Sequence, residues 1–262
     1  MKPPKYKIYK NPTVKRVIFQ INFSNLFLIE NRIGAIQTSI MEKFPDASLS
    51  IRRDLLFADV GPEFKMEEIP IKESSGRKIW QFRSDNRYTL NVSTNSIDIT
   101  SSEHKSYYNN EETGEEGFRD IIKYVIDRFL SITNLQIIKR IGLRYMDECP
   151  IPYKKDEDSN IILLNEDFQD WYNTSLPLHR FNLKDLGSMR FEANVKRGNY
   201  NLIYKEILIM KNNDIKLLLD FDGYKEKISS EVCMDVLDDL HKLIHKEWDE
   251  TLKDPVKLLM DK

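Results

Sequence analysis

The run Lys139-Arg140-Ile141-Gly142-Leu143-Arg144-Tyr145-Met146-Asp147 constrains the fold more than any other stretch of the chain. Its alternation marks a β-strand, because a pleated strand sends successive side chains to opposite faces. Ile137, Lys139, Ile141, Leu143 and Tyr145 then share one face, which reads mainly as core, while Ile138, Arg140, Gly142, Arg144 and Met146 share the other. At roughly 3.3 Å per residue, the Cα atoms of Arg140 and Arg144 stand about 13 Å apart. Gly142 leaves backbone open between them. Guanidinium groups are fixed, bidentate donors, so two readings follow. The arginines form a cationic slot for a phosphate or carboxylate, with Tyr145 in the same binding set, or each is neutralised by an acid on a neighbouring strand.

The same run opens the second of two similarly ordered units, 1–134 and 135–262, expected to pack as one continuous globule. In the first, Val17 to Phe23 alternates as a strand, and apolar residues at three and four predict an amphipathic helix from Leu28 to Phe44, ended by Pro45. Residues 46–77, broken by Pro62, Pro70 and Gly76, read as an irregular or short-stranded excursion. A three-stranded meander over 79–83, 88–93 and 96–100 follows, then a helix carrying Phe118, Ile121, Ile122, Val125, Ile126, Phe129 and Leu130. In the second unit the opening strand precedes a polar stretch, Lys154 to Asn160, and a helix over Glu166 to Tyr172. Strands over 188–196, 200–210 and 215–221 come next, and a helix capped by Ser229-Ser230-Glu231 carries Val232, Val236, Leu237, Leu240, Leu243, Ile244 and Trp248 on one stripe. Val256 to Met260 forms a last short helix after Pro255. Placing Lys15-Arg16-Val17-Ile18-Phe19 over Lys139-Arg140-Ile141-Gly142-Leu143 sets an offset of 124 and suggests an internal duplication. The expected fold class is α+β, with largely antiparallel sheets backed by long helices.

With 262 residues, 40% hydrophobic and 31% charged, the chain can bury a substantial core. A net charge of -2 argues against a dedicated nucleic-acid coat, although the segment before the first strand concentrates Lys5, Lys7, Lys10, Lys15 and Arg16 around Tyr6 and Tyr9. That segment reads as a nucleic-acid grip, with tyrosines for stacking, or as a solvated tail. Cys149 and Cys233 are too few and too far apart for a disulfide framework or a zinc site, so both are expected as free thiols. The absence of an apolar run of about 18 residues and of an apolar leader points to a cytoplasmic protein without membrane contact.

Chemistry is sparse. The nine glycines include no phosphate-cradling loop, and no serine or cysteine stands in a nucleophile elbow. His241 and His245 have the i, i+4 spacing of zinc ligands, but Lys242 stands where the usual glutamate would be. Asp220 and Asp222 project from one side of a strand end, roughly 6 to 7 Å apart, with Phe221 turned inward. They could hold a hard cation, act as an acid and base, or neutralise Arg140 and Arg144 in one network. The network is the favoured reading, so neither a metal nor a cofactor is expected.

Several stretches together resemble a sporadically distributed prokaryotic family of uncharacterised proteins marked by an Arg-Ile-Gly-Leu-Arg-Tyr motif. They are Asn11 to Ile21, Glu30-Asn31-Arg32-Ile33-Gly34, the strand around Trp80, Arg140 to Tyr145, and Asp220-Phe221-Asp222 followed by a helix containing His241. The resemblance implies one full-length unit and transfers no activity; patchy distribution associates such families with mobile or defence-type elements. Three functional expectations follow. The first is a non-enzymatic interaction or regulatory protein, such as a defence accessory, engaging a protein partner or a second copy through sheet edges, the acidic loop Glu111 to Glu116 and the basic N-terminus. The second is a module binding an anionic small molecule or nucleic-acid end in an arginine-lined cup. The weakest is a metal-dependent hydrolase using Asp220 and Asp222.

Overall fold

A computed structural model of the protein describes residues 7–52, 77–85, 87–110, 113–152, 154–155, 161–162, 165–177, 180, 187–211 and 214–262. In chain order the elements of the first half are β1 (Val14–Asn22), α1 (Leu28–Ile40), β2 (Asp46–Arg52), β3 (Arg77–Ser84), β4 (Tyr88–Val92), β5 (Ser96–Ser101) and α2 (Phe118–Thr133). The second half contains β6 (Ile137–Cys149), β7 (Lys154–Lys155), β8 (Ile161–Ile162), α3 (Asn165–Trp171), β9 (Ser188–Arg197), β10 (Tyr200–Lys211), β11 (Asp214–Ser229), α4 (Cys233–Thr251) and α5 (Asp254–Met260). Nine strands form one antiparallel sheet in the order β2-β3-β4-β5-β1-β6-β11-β10-β9, and β7 and β8 pair separately. The fold is therefore α+β, as its patterning predicts.

Alternation decides which face is buried. Val17, Phe19 and Ile21 of β1, Ile141 and Leu143 of β6, Ile97 and Ile99 of β5, and Leu217, Leu219 and Phe221 of β11 are all fully buried. Helices close this face. Phe129 of α2 meets Phe23 at 5.6 Å between ring centres, and Phe118 stacks on Tyr88. α1 packs on α2, and α4 lies over β6 and β11. Gly223 of β11 permits that close approach, because a Cβ there would stand 3.2 Å from Ile244 Cδ1 and 3.4 Å from Leu240 Cδ2 of α4.

The two halves meet at β1 and β6. Phe19 pairs with Leu143, the residue onto which the 124-residue offset carries it, so a local two-fold axis through this pair relates the opening strands. In each half the last meander strand returns to the opening strand, β5 to β1 and β11 to β6. Four strands follow α1 and three follow α3, so the correspondence is topological and does not establish a duplication.

Several expectations need correction. Residues 46–52, read within an irregular or short-stranded excursion, form the seven-residue edge strand β2, while 53–76 lie outside the described residues. The first helix stops at Ile40, ahead of Phe44 and Pro45. β11 runs to Ser229, so Asp220 and Asp222 sit in the middle of a strand and not at its end. The face assignment of β6 holds from Ile141 to Cys149 but inverts before it, with Ile138 buried and Ile137 and Lys139 exposed. Lys227, beside this stretch on β11, has φ of 54°, a left-handed kink that turns the end of the ladder. Both cysteines are free and buried. Among the described residues no helix is long and apolar enough to cross a membrane.

Candidate functional site

The helix-free side of the sheet brings together four of the residues singled out in the sequence. β6 and β11 pair so that Asp222 stands opposite Arg144 and Asp220 opposite Met146. The ion pairs nonetheless run diagonally. Arg144 donates from Nε and Nη2 to the two oxygens of Asp220, at 2.7 and 2.6 Å, the fork geometry of a strong charge-assisted pair. Arg140 reaches along its strand to Asp222, with Nη2 3.0 Å from both oxygens. On the way its guanidinium covers Gly142 and lies 4.5 Å from the ring centre of Tyr224, the residue paired with Gly142.

This geometry fixes the charges. Asp220 is only 5% exposed, and its fork raises the Arg144 pKa above the usual guanidinium value. Burial raises the Asp222 pKa above the usual carboxylate range even with Arg140 beside it. Both guanidinia are already neutralised, and the glycine floor expected between them is filled by Arg140 itself. Both carboxylates are equally engaged, and among the described residues no three His, Cys, Asp or Glu side chains converge as a metal site would require.

Tyr145 and His241 belong to the opposite, helix-covered face. Tyr145 Oη and His241 Nδ1 share a hydrogen bond of 3.1 Å, and the Tyr107 ring stacks on His241 at 3.8 Å. Tyr107 Oη donates to Asp238 of α4, which also receives a fork from Arg119 of α2, so the cluster ties α2 to α4 through the loop that carries Tyr107. His104 meets Tyr145 and Phe118 edge-on. Burial lowers the pKa of His241 well below 6.5 and that of His104 to about 3, so both rings are neutral. His245 lies 6.2 Å from His241 between ring centres. Asp147, 2% exposed on the same face, accepts at one oxygen from Thr13 Oγ1 at 2.7 Å and Trp248 Nε1 at 3.0 Å; burial pushes its pKa up to about 6.

From Lys7 onward the basic N-terminal segment is docked on the protein. The Asn11 amide donates to the Met260 carbonyl at 2.9 Å, Tyr9 lies 6.0 Å from Trp248, and Lys7 pairs with Asp261. Lys10, Lys15 and Arg16 are exposed, and Lys5 and Tyr6 lie outside the described residues. In the acidic loop Glu115 is bridged by Arg87 and Lys105 and Glu116 by Lys43, while Glu111 and Glu112 fall outside the described residues.

A further feature was not singled out in the sequence. β9 is an edge strand whose Phe191, Ala193 and Val195 are half-buried and face the helix side, while Arg190, Glu192, Asn194 and Lys196 are exposed. Beside it a groove of about 240 Å³ extends over Leu202 and Tyr204 of β10 to Asn173, Thr174 and Ser175. Glu206, fully buried, forms its polar end by accepting from the Ser175 amide at 2.9 Å and from Tyr204 Oη at 2.7 Å. Alternation in 188–196 and 200–210 was the signal for this edge, whereas residues 173–175 are brought to it by the fold. The same parity that makes Leu143 core puts Asp147 inward, so that buried acid was legible; His104 and Tyr107 sit in a loop without periodicity. No family model, curated protein or solved structure matches this chain.

Proposed function

We propose that this is a non-catalytic interaction protein that takes an extended segment of a partner protein alongside β9. The observation that carries the reading is a ten-residue edge strand with a groove on one side of it, where Phe191, Ala193, Val195, Leu202 and Tyr204 stand beside the polar Arg197, Glu206, Glu247 and Glu250. Among the described residues no strand pairs with its outer edge. Strand addition draws affinity from main-chain hydrogen bonds and specificity from pockets that accept alternate side chains, and β9 offers both. Charge narrows the partner. On β9 and β10, Arg190, Lys196 and Lys205 share the helix-free side with the carboxylate of Glu192, which already lies within 3.9 Å of Lys205 and pairs with Arg190, while Asp220 opposite Lys205 is held by Arg144. The fitting segment therefore carries acidic residues on the side turned away from the groove. The arginine-lined cup and the aspartate hydrolase receive less support, because Arg140, Arg144, Asp220 and Asp222 satisfy one another.

Panning the purified protein against displayed random peptides, followed by hydrogen exchange with a selected peptide, tests the reading. Slowed exchange of β9 amides, with binding abolished in Asn194→Pro and in the groove-filling Ala193→Trp, supports it. Peptides that bind while leaving β9 exchange unchanged refute it. Dimerisation of the protein through β9 would replace the foreign segment by a second copy.

A further inference from the structure

A cleft of about 760 Å³ shares no lining residue with the β9 groove. It is walled by the segment entering β1, the turn after β5, the end of β6, the start of β11 and the end of α5. Its chemistry is divided. Val14, Pro150, Ile215 and Met260 supply apolar wall, and Lys10 and Lys15 stand at the lining as cations with no carboxylate in ion-pair range among the described residues. The third lysine, Lys216, is held by Glu148 at 3.0 Å, and Glu103 is the remaining acid. His104 also lines the cleft. Only 9% exposed, it has an Nδ1 that makes no hydrogen bond, an unmet polar capacity that buried groups seldom carry. Its imidazole is held edge-on between Tyr145 and Phe118 and stays uncharged.

We infer that this cleft binds a small amphipathic acid, its carboxylate or phosphate head between Lys10 and Lys15, its apolar body against Val14, Ile215 and Met260, and one hydrogen bond to His104. The volume falls in the range of small-molecule sites, which combine apolar walls with a few convergent polar groups. Two ammonium groups that make no ion pair among the described residues favour an anion over a neutral ligand, and the apolar wall favours one with a hydrocarbon part over a bare ion. The inference does not depend on the β9 reading and assigns Lys10 and Lys15 a role different from gripping a nucleic-acid backbone.

The test uses the whole protein and four probes in calorimetry: octyl phosphate, octanoate, octanol and inorganic phosphate. Saturable one-to-one binding of octyl phosphate or octanoate is expected, with octanol and inorganic phosphate at least tenfold weaker; the tighter of the two acids identifies the head group. Lys10→Glu with Lys15→Glu, both exposed, should weaken binding at least tenfold without changing the thermal midpoint by more than a few degrees. The ring nitrogen signals of His104 should shift on binding in nitrogen-15 NMR. Absence of saturable binding by either acid, inorganic phosphate as tight as octyl phosphate, or unchanged affinity in the double variant would each overturn the inference.

Discussion

The guanidinium of Arg140 lies over Gly142, two positions along the same strand, where a Cβ would stand 2.6 Å from Nη1 and 3.2 Å from Cζ. Glycine here makes room for a neighbouring side chain. An alanine would push the flexible end of Arg140 away from Tyr224 and Asp222. In Gly142→Ala the Asp222 carboxyl should therefore titrate higher than in the wild type, where burial already raises it and Arg140 holds it down. Stability should change by less than about 1 kcal/mol, since relief of glycine's backbone entropy offsets a weakened, partly exposed pair. Carbon-13 titration of the Asp222 carboxyl checks this, and an unchanged curve would show that Arg140 is not displaced.

Arg144 and Asp220 form the tighter pair, with the carboxylate almost wholly buried and the guanidinium about one third exposed. Arg144→Met leaves a buried charge without its fork and should cost about 2–4 kcal/mol in urea unfolding. Adding Asp220→Leu should recover more than half of that loss, because apolar packing removes the stranded charge. No recovery in the double variant would mean that Arg144 acts through packing rather than through Asp220.

Gly223 sets the distance between α4 and the sheet. Gly223→Val drives branched carbon into Ile244 and Leu240, whose atoms already stand closer than ordinary contact to a single methyl group. The expected loss is about 1–3 kcal/mol. A larger residue at Gly114, where nothing lies within 4 Å of a Cβ, meets only the strain of its left-handed backbone, which serves as a control for the steric argument.

Acid should destabilise the protein through its buried histidines. In the unfolded chain a histidine gains its proton near 6.5, whereas folded His104 resists to about 3 and His241 is lowered in the same direction. The unfolded state thus binds more protons below about 6.5, and stability falls as pH drops. Arg87 facing His104, and His245, His104 and Lys242 facing His241, add to the burial that causes this. Asp147 acts oppositely. Its folded pKa of about 6 lies above the ordinary 3.8, so its protonation favours the fold, and that contribution disappears as pH rises through about 6. His104→Phe, placed between Phe118 and Tyr145, should flatten the acid side of the curve and leave the protein about 3 kcal/mol less pH-sensitive between pH 7 and pH 4. Parallel thermal-midpoint curves for the two proteins would refute the assignment.

Much of this could be read from alternation and helical spacing. Val17 to Phe23, Ile141 to Asp147 and the Phe118 to Leu130 stripe announce their elements, because a strand repeats every two residues and a helix every 3.6 whatever surrounds them. Asp220 and Asp222 were legible as sharing a face for the same reason. What the sequence could not show is register. Opposition of Asp222 and Arg144 comes from the pairing of β6 with β11, and the diagonal choice of partners depends on Gly142 leaving room for Arg140 to lie down.

Sequence by itself determined, the start of β6 excepted, which faces are apolar and which carry charge, since these follow from local geometry. Tertiary structure alone decided that the arginines are spent on the aspartates, that Lys10, Lys15 and His104 line one cleft, and that residues 173–175 close the groove beside β9. Each of these joins side chains from distant parts of the chain, and such meetings are set by strand order and helix packing, which no local period encodes.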